Sequence, residues 1–257
     1  MTPRKQLTAY YTMLRNDFMR IVRIWSQTLL PPAVTSSLYF IIFGAFIGSQ
    51  LAPIQGYSYM QFIVPGLIMM SVITSSYMNT VSTFYFAKWT HTLDEILVSP
   101  MPEWLIIAGF VSGGVMRGLM VGALVGVVGL FFTHLAVQNV LVLVSAVVLT
   151  SVLFSLAGLI NGAFAKSFDG ISIVPTFVLT PLTYLGGIFY SISQFPPFWQ
   201  NVSLANPILY MVNAFRWGFF GVSDIPLWIC FSVLAGFIAL FLAVLLWLFK
   251  GGVGVRV

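Results

Sequence analysis

Charge is scarce in this sequence: Asp, Glu, Lys and Arg make up only 7% of its 257 residues. A soluble domain carries about 25%. So few charges cannot cover the surface of a water-soluble protein of this length, and lipid is the solvent that suits the chain. Cysteine is scarcer still. Cys230 stands alone, which excludes an intrachain disulfide and a cysteine-based metal cluster; its apolar surroundings make it a small packing residue. The two histidines, His91 and His134, fall on opposite sides of the membrane in the topology below and cannot share a metal. No GxxxxGK[ST] sequence occurs, so no P-loop cradles a nucleotide here. Serine and histidine placement offers no nucleophile–base pair, and a hydrolase is not expected. The first long apolar run begins only near Gln27, behind a mixed stretch too long for the basic start of a secretory signal.

Acids are few and badly placed for ion coupling. Asp17, Asp94, Glu95, Glu103, Asp169 and Asp224 are the full set, and all lie outside the expected hydrocarbon spans. Ion-coupled transporters and proton relays usually carry carboxylates or histidines inside the membrane. Their absence argues against a proton-driven antiporter, and no ring-forming polar filter suggests a channel.

What is abundant is apolar sequence, 59% of the chain. A spanning helix needs about 20 mostly apolar residues. Six segments qualify: Gln27–Gly48, Met60–Phe84, Trp104–Phe132, Asn139–Phe164, Ile171–Tyr190 and Ile225–Phe249. The fifth contains Pro175 and Pro181 and reads as a kinked span, tolerated where neighbours re-satisfy the backbone. The predicted fold is therefore all-α, a polytopic membrane protein with six transmembrane helices. Arg4, Lys5, Arg15, Arg20, Arg23, Lys88, Lys166, Lys250 and Arg256 fall on one side, against Arg216 on the other. The positive-inside bias puts both termini in the cytoplasm. Arg117, within the long third segment, is placed near the cytoplasmic boundary, where it can snorkel.

Residues 1–26 form a separate amphipathic stretch. Leu7, Tyr10, Tyr11, Leu14, Phe18, Ile21, Val22 and Trp25 recur at helical spacing, with Arg15, Asn16, Asp17, Arg20 and Arg23 between them. That pattern predicts a helix lying in the cytoplasmic interface, its basic face towards anionic lipid or a protein partner. Residues 27–257 form the six-span domain. Within it the loop 87–103 concentrates charge, and Leu93, Ile96 and Leu97 alternate with Asp94 and Glu95 to give a short amphipathic helix over Thr92–Val98, stopped by Pro100 and Pro102. The segment 191–224 is too apolar for a loop in water and too broken by Pro196, Pro197 and Pro207 for one span. It reads as a re-entrant helical hairpin in the outer leaflet, carrying Phe198, Trp199, Asn206, Pro207, Tyr210 and Arg216. Gly114, Gly118, Gly122 and Gly126 line one face of the third span, with Gly109 and Gly113 beside them, and are read as close helix packing. Asn79, Thr176, Thr180, Thr183, Tyr184 and Tyr190 are candidates to line a cavity.

Three stretches carry a family resemblance: MQFIVPGLIMMS over 60–71, VPTFVLTPLTYLGGIFY over 174–190 and NPILYMVNAFR over 206–216. With the order of elements, they resemble the membrane-spanning permeases of type-2 ABC exporters over essentially the full length. The resemblance implies two permease copies working with two separate ATPase subunits in a bacterial inner membrane. ATP and Mg²⁺ would be bound by the partner and no cofactor by this chain. A coupling helix near Lys88–Pro100 would seat in the ATPase, with Lys88, Leu93, Asp94, Glu95, Ile96 and Leu97 at the contact. The cargo would be amphipathic: a lipid-linked glycan, a lipid or a drug-like molecule. Membrane lipid is an expected partner and nucleic acid is not. An ion-coupled transporter and a non-transporting membrane scaffold are the rival readings.

Overall fold

The computed structural model describes residues 2–51, 53–54 and 56–254; Arg256, counted above with the basic residues, lies outside the described residues. Helices α1 (Pro3–Arg23) and α2 (Trp25–Tyr39) meet at Ile24, and a π-helical run, Phe40–Ile47, prolongs α2. Then follow α3 (Tyr59–Trp89), α4 (Thr92–Val98), α5 (Glu103–Leu130) and α6 (Val140–Phe164). A broken segment comes next: α7 (Gly170–Val174), a π-helical turn over Pro175–Leu179 and α8 (Thr180–Tyr184). The chain ends in α9 (Pro197–Leu204), α10 (Pro207–Phe220) and α11 (Leu227–Gly251). No strand occurs among the described residues.

Helices α3, α5, α6 and α11 are each long and apolar enough to cross a membrane. The first expected span falls on α2, which holds Pro31 and Pro32 within the helix, and its π-helical extension, and it is not among those four. The fifth is a short apolar stretch, Gly170–Tyr184, broken where Pro175 cannot donate to the backbone ladder.

Local chemistry sets the ends. Ser58 and Gln61 form a reciprocal capping box that starts α3. That helix runs to Trp89, past the expected Phe84, and stops at His91, whose φ of 60° is left-handed. The α4 helix spans the expected Thr92–Val98, and extended Ser99 before Pro100 closes it. Asn139 caps α6 through the Val142 amide, and Asn206 caps α10 through the Ile208 amide with Pro207 at the first helical position.

The core is the three-helix contact of α3, α5 and α6. A side chain at Gly114 would run into the hydroxyls of Thr80 and Ser155, and one at Gly118 into those of Ser76 and Ser151. At Gly122 the nearest atom would be Val72 Cγ2, 2.8 Å away. These glycines let three backbones close on a ladder of small hydroxyl residues. Gly126 differs from the expected pattern: a Cβ there would meet nothing nearer than Ile68 Cδ1 at 4.0 Å. Gly109 and Gly113 face the other way, making room for Met13 and Asp17 of α1.

That contact changes the expected picture of α1. The helix climbs along the first half of α5, with Tyr10 OH 2.6 Å from Ser112 Oγ and Ile21 buried. Asp17, expected on the polar face, is turned in against α5. Leu7, Tyr11, Phe18, Val22 and Trp25 remain exposed on the outer side.

Candidate functional site

Three regions hold the residues singled out from the sequence: a cavity within the helical bundle, the α4 loop, and the α9–α10 segment. The cavity, about 290 Å³, lies between α2, α3 and α5. Its walls include Gln27, Pro31, Pro32, Thr35, Ser36, Tyr39, Ser71, Thr74, Ser75 and Arg117. Several hydroxyls already donate within the protein: Ser71 to the Leu67 carbonyl and Thr74 to the Met70 carbonyl, each at 3.0 Å. Their oxygens keep acceptor capacity. A smaller space of about 120 Å³ adjoins along the same face of α3, sharing Met70, Thr74 and Met78, and is lined by Thr176, Thr180 and Thr183. Those three threonines share that space. Tyr184 stacks on Phe189, and Tyr190 donates to the Tyr184 carbonyl. Asn79 is placed differently from expectation. It is buried and accepts a hydrogen bond from Arg20 Nη2 at 3.0 Å, so it ties α1 to α3 and does not line the cavity.

Arg20 Nη2 also lies 3.4 Å from Asp17 Oδ1. Burial raises the Asp17 pKa above the usual carboxylate value, and the Arg20 charge opposes that rise. Arg117 sits close enough to Arg20 for the two like charges to interact. Sequence reasoning placed Arg117 alone; its neighbour is 97 positions away in the chain, and no periodicity announces such a pair.

The α4 helix is fixed at the base of the bundle. Leu93, expected to dock into a partner, is 1% exposed and packs with Phe84, Ile106, Phe110 and Phe249. Its role is thus to anchor α4 to its own chain. Ile96 and Leu97 are half-buried against the same cluster. The outward surface is Glu95 with Val98, the latter 87% exposed, while Asp94 pairs with His91 at 3.0 Å. Lys88 is also turned inward. Its Nζ donates to the carbonyls of Ala163 and Gly254, each at 2.9 Å, joining the base of α3 to the ends of α6 and α11. Beside α4, exposed Trp89 and Phe168 lie with ring centroids 5.7 Å apart.

In the hairpin, α10 is apolar because the bundle covers it: Ile208, Leu209, Met211, Val212 and Phe215 belong to the main core. Asn206 Nδ2 donates to the Leu182 carbonyl, and Tyr210 OH to the Leu204 carbonyl. Arg216 is 1% exposed. Its Nη2 donates to the Gly187 carbonyl at 2.9 Å and its Cζ lies 3.7 Å from the centre of the Phe62 ring. Phe198 and Trp199, on α9, remain exposed and pack edge to face.

Comparison with known proteins identifies the family. The model of the ABC-2 type transporter family matches residues 8–220. Inner membrane transport permease YadH of Escherichia coli K12 is 56% identical over 240 residues, 93% of this chain and 94% of the relative. Nodulation protein J of Rhizobium meliloti is 23% identical over 203 residues, 79% of this chain and 78% of the relative. With its apolar helices, the chain is a multi-pass membrane protein, and it belongs to the ABC-2 type transporter family.

Proposed function

We propose that the chain is the membrane-spanning subunit of an ATP-driven exporter whose ATPase is a separate polypeptide, working as a pair of permeases on an amphipathic cargo. ATP and Mg²⁺ belong to the partner. In this reading the α2 and α7–α8 segments complete six spans, the α9–α10 hairpin enters the outer leaflet, and both termini are cytoplasmic. The basic residues near α1, Lys166 and Lys250 support that orientation. A reporter that is active only after export should be active when fused at Asn201, and a silent fusion there would remove this orientation.

The observation that carries the reading is α4. A seven-residue helix with two acids stands between two of the longest apolar helices and is pinned from within by Leu93. Its outer face has no role in holding the bundle together, which suits a contact with a cytoplasmic partner. Nucleotide would drive transport only by favouring one arrangement of the complex over another.

The ion-coupled reading gains one buried carboxyl, Asp17, but Arg20 offsets its charge and it does not line the cavity. Vanadate-sensitive ATPase activity, stimulated by cargo in the reconstituted complex, separates an exporter from a scaffold or an ion-coupled carrier.

The structure also divides the α4 variants into two classes. Val98→Asp with Glu95→Lys should release the co-expressed ATPase by about tenfold or more, because exposed apolar anchors carry affinity and rim charges steer encounter. Thermal stability of the permease should not change. Leu93→Ala should instead cost about 2–5 kcal/mol of permease stability, as a buried leucine truncation does. Undiminished ATPase recovery with the Val98–Glu95 double variant would remove α4 as the coupling element.

A further inference from the structure

Arg20 and Asp17 pair on α1, and Asp17 lies against α5 at Gly113, one helical turn from Arg117. Arg20 is engaged by Asn79 and Asp17, yet its Nε is buried with no hydrogen-bond partner. Arg117 Nε is buried and unpartnered too. No hydrogen bond or ion pair satisfies the Arg117 guanidinium among the described residues, and its charge borders the cavity wall. Of the other five acids, Asp94 and Glu95 lie on α4, Glu103 at the start of α5, Asp169 in the α6–α7 turn and Asp224 before α11. A surplus positive charge held in a low-dielectric setting with open donors is costly. An anion entering the cavity would relieve that cost.

We propose that this cavity binds the phosphate of an amphiphile headgroup, with Arg117 as the principal ligand. Guanidinium groups present paired N–H donors that match phosphate oxygens and bind them in a bidentate manner. Gln27 adds amide donors at the same wall. The hydroxyl oxygens of Ser71 and Thr74, whose protons already point to backbone carbonyls, remain acceptors for hydroxyl or ammonium groups of a headgroup. Leu67, Met70 and Met78 supply apolar surface on which the first methylenes of a chain can rest.

Depth agrees with a headgroup. Arg117 stands about 21 Å along α5 from Glu103 at 1.5 Å per residue. The whole helix, 28 residues, is about 42 Å long against a hydrocarbon core of about 30 Å. With the excess on the cytoplasmic side, Arg117 lies about 10 Å inside the inner boundary, within reach of a phosphate drawn below the headgroup layer. The inference rests on the exporter reading in taking that phosphate as part of the cargo; binding itself is measured without the ATPase.

The full chain, purified in detergent, is titrated with phosphatidylglycerol and with diacylglycerol of the same acyl chains, and bound lipid is counted by native mass spectrometry. Wild type should retain phosphatidylglycerol selectively. Arg117→Gln should weaken it by about tenfold or more, the loss of a charge-assisted contact. Arg117→Lys keeps the charge without the fork and should lose less, so a folding defect in the glutamine variant does not leave the proposal unexamined. Inorganic phosphate added as competitor separates the sources: displacement shows that phosphate alone suffices, and retention shows that the lipid chains contribute. Equal retention of diacylglycerol, or phosphatidylglycerol binding by Arg117→Gln and Arg117→Lys at the wild-type level, overturns the proposal. Selective binding in a chain whose complex shows no cargo-stimulated hydrolysis would retain the site and reject the exporter.

Discussion

Gly118→Leu should abolish accumulation of the folded protein in the membrane. A Cβ at this position would already collide with the hydroxyl oxygens of Ser76 and Ser151, on α3 and α6, and would lie 3.2 Å from Ser151 Cβ. Both serines are fully buried, so neither helix can yield without opening the core. Within lipid there is little hydrophobic force to push the helices back together; close packing holds them. Even Gly118→Ala should be destabilising, by about 1–3 kcal/mol for an overpacked interior. A compensating pair tests the cause. The Ser76 and Ser151 hydroxyls have no hydrogen-bond partner among the described residues, so Ser76→Ala with Ser151→Ala removes the obstructing atoms at small cost. Gly118→Ala should be substantially better tolerated in that background. Gly126→Ala, by contrast, should be neutral or up to about 1 kcal/mol stabilising, since a Cβ fits and alanine favours the helix. Detergent-extracted, monodisperse yield ranks all of them. Equal loss at positions 118 and 126 would show that the glycine stripe acts through something other than this contact.

Arg216→Ala should lower the stability of the permease itself. The side chain is enclosed, donates to the Gly187 carbonyl and lies against the Phe62 ring, joining α10 to α3 and to the turn after α8. Truncation leaves a carbonyl without its donor, a void beside an aromatic face, and the nearby Asp224 without its positive neighbour. Losing a buried hydrogen bond from a charged group typically costs about 1.5–3 kcal/mol. Arg216→Lys should recover little, because an ammonium can neither lie flat on Phe62 nor present a fork of donors. Cys230 supplies the assay. It is the chain's one cysteine and is buried, so a thiol-reactive fluorophore reports unfolding directly. A wild-type melting temperature for Arg216→Ala would show that Arg216 is not structural.

Much of this architecture could be read from residue order. The α4 limits were legible because charge, apolar spacing and two following prolines all mark them. The α5 glycine face was legible because a period of four fixes a side of a helix. What covers a face is not encoded in its period. Lys88 looked like a loop cation because apolarity fades near Phe84, whereas hydrogen bonding carries α3 on to Trp89 and turns the lysine towards carbonyls contributed by residues far along the chain. Leu93 looked like a free anchor for the same reason: its amphipathic spacing is genuine, but the surface it matches is its own bundle. Arg20, Asn79 and Arg117 come from three helices, and only the folded chain brings them to one place.

The Lys88 bonds give α3 the character of a lever. Its 31 residues make a rod about 46 Å long, which exceeds the hydrocarbon thickness by about half. By simple geometry, a rod of that length pivoting about its Tyr59 end by about 5° carries its Trp89 end roughly 4 Å. That tip is hydrogen-bonded to the ends of α6 and α11, so the stroke is geared to three helices at once. A small rocking motion delivered at α4 would thus arrive as a shared displacement of the three helix ends beside it, with no helix required to bend.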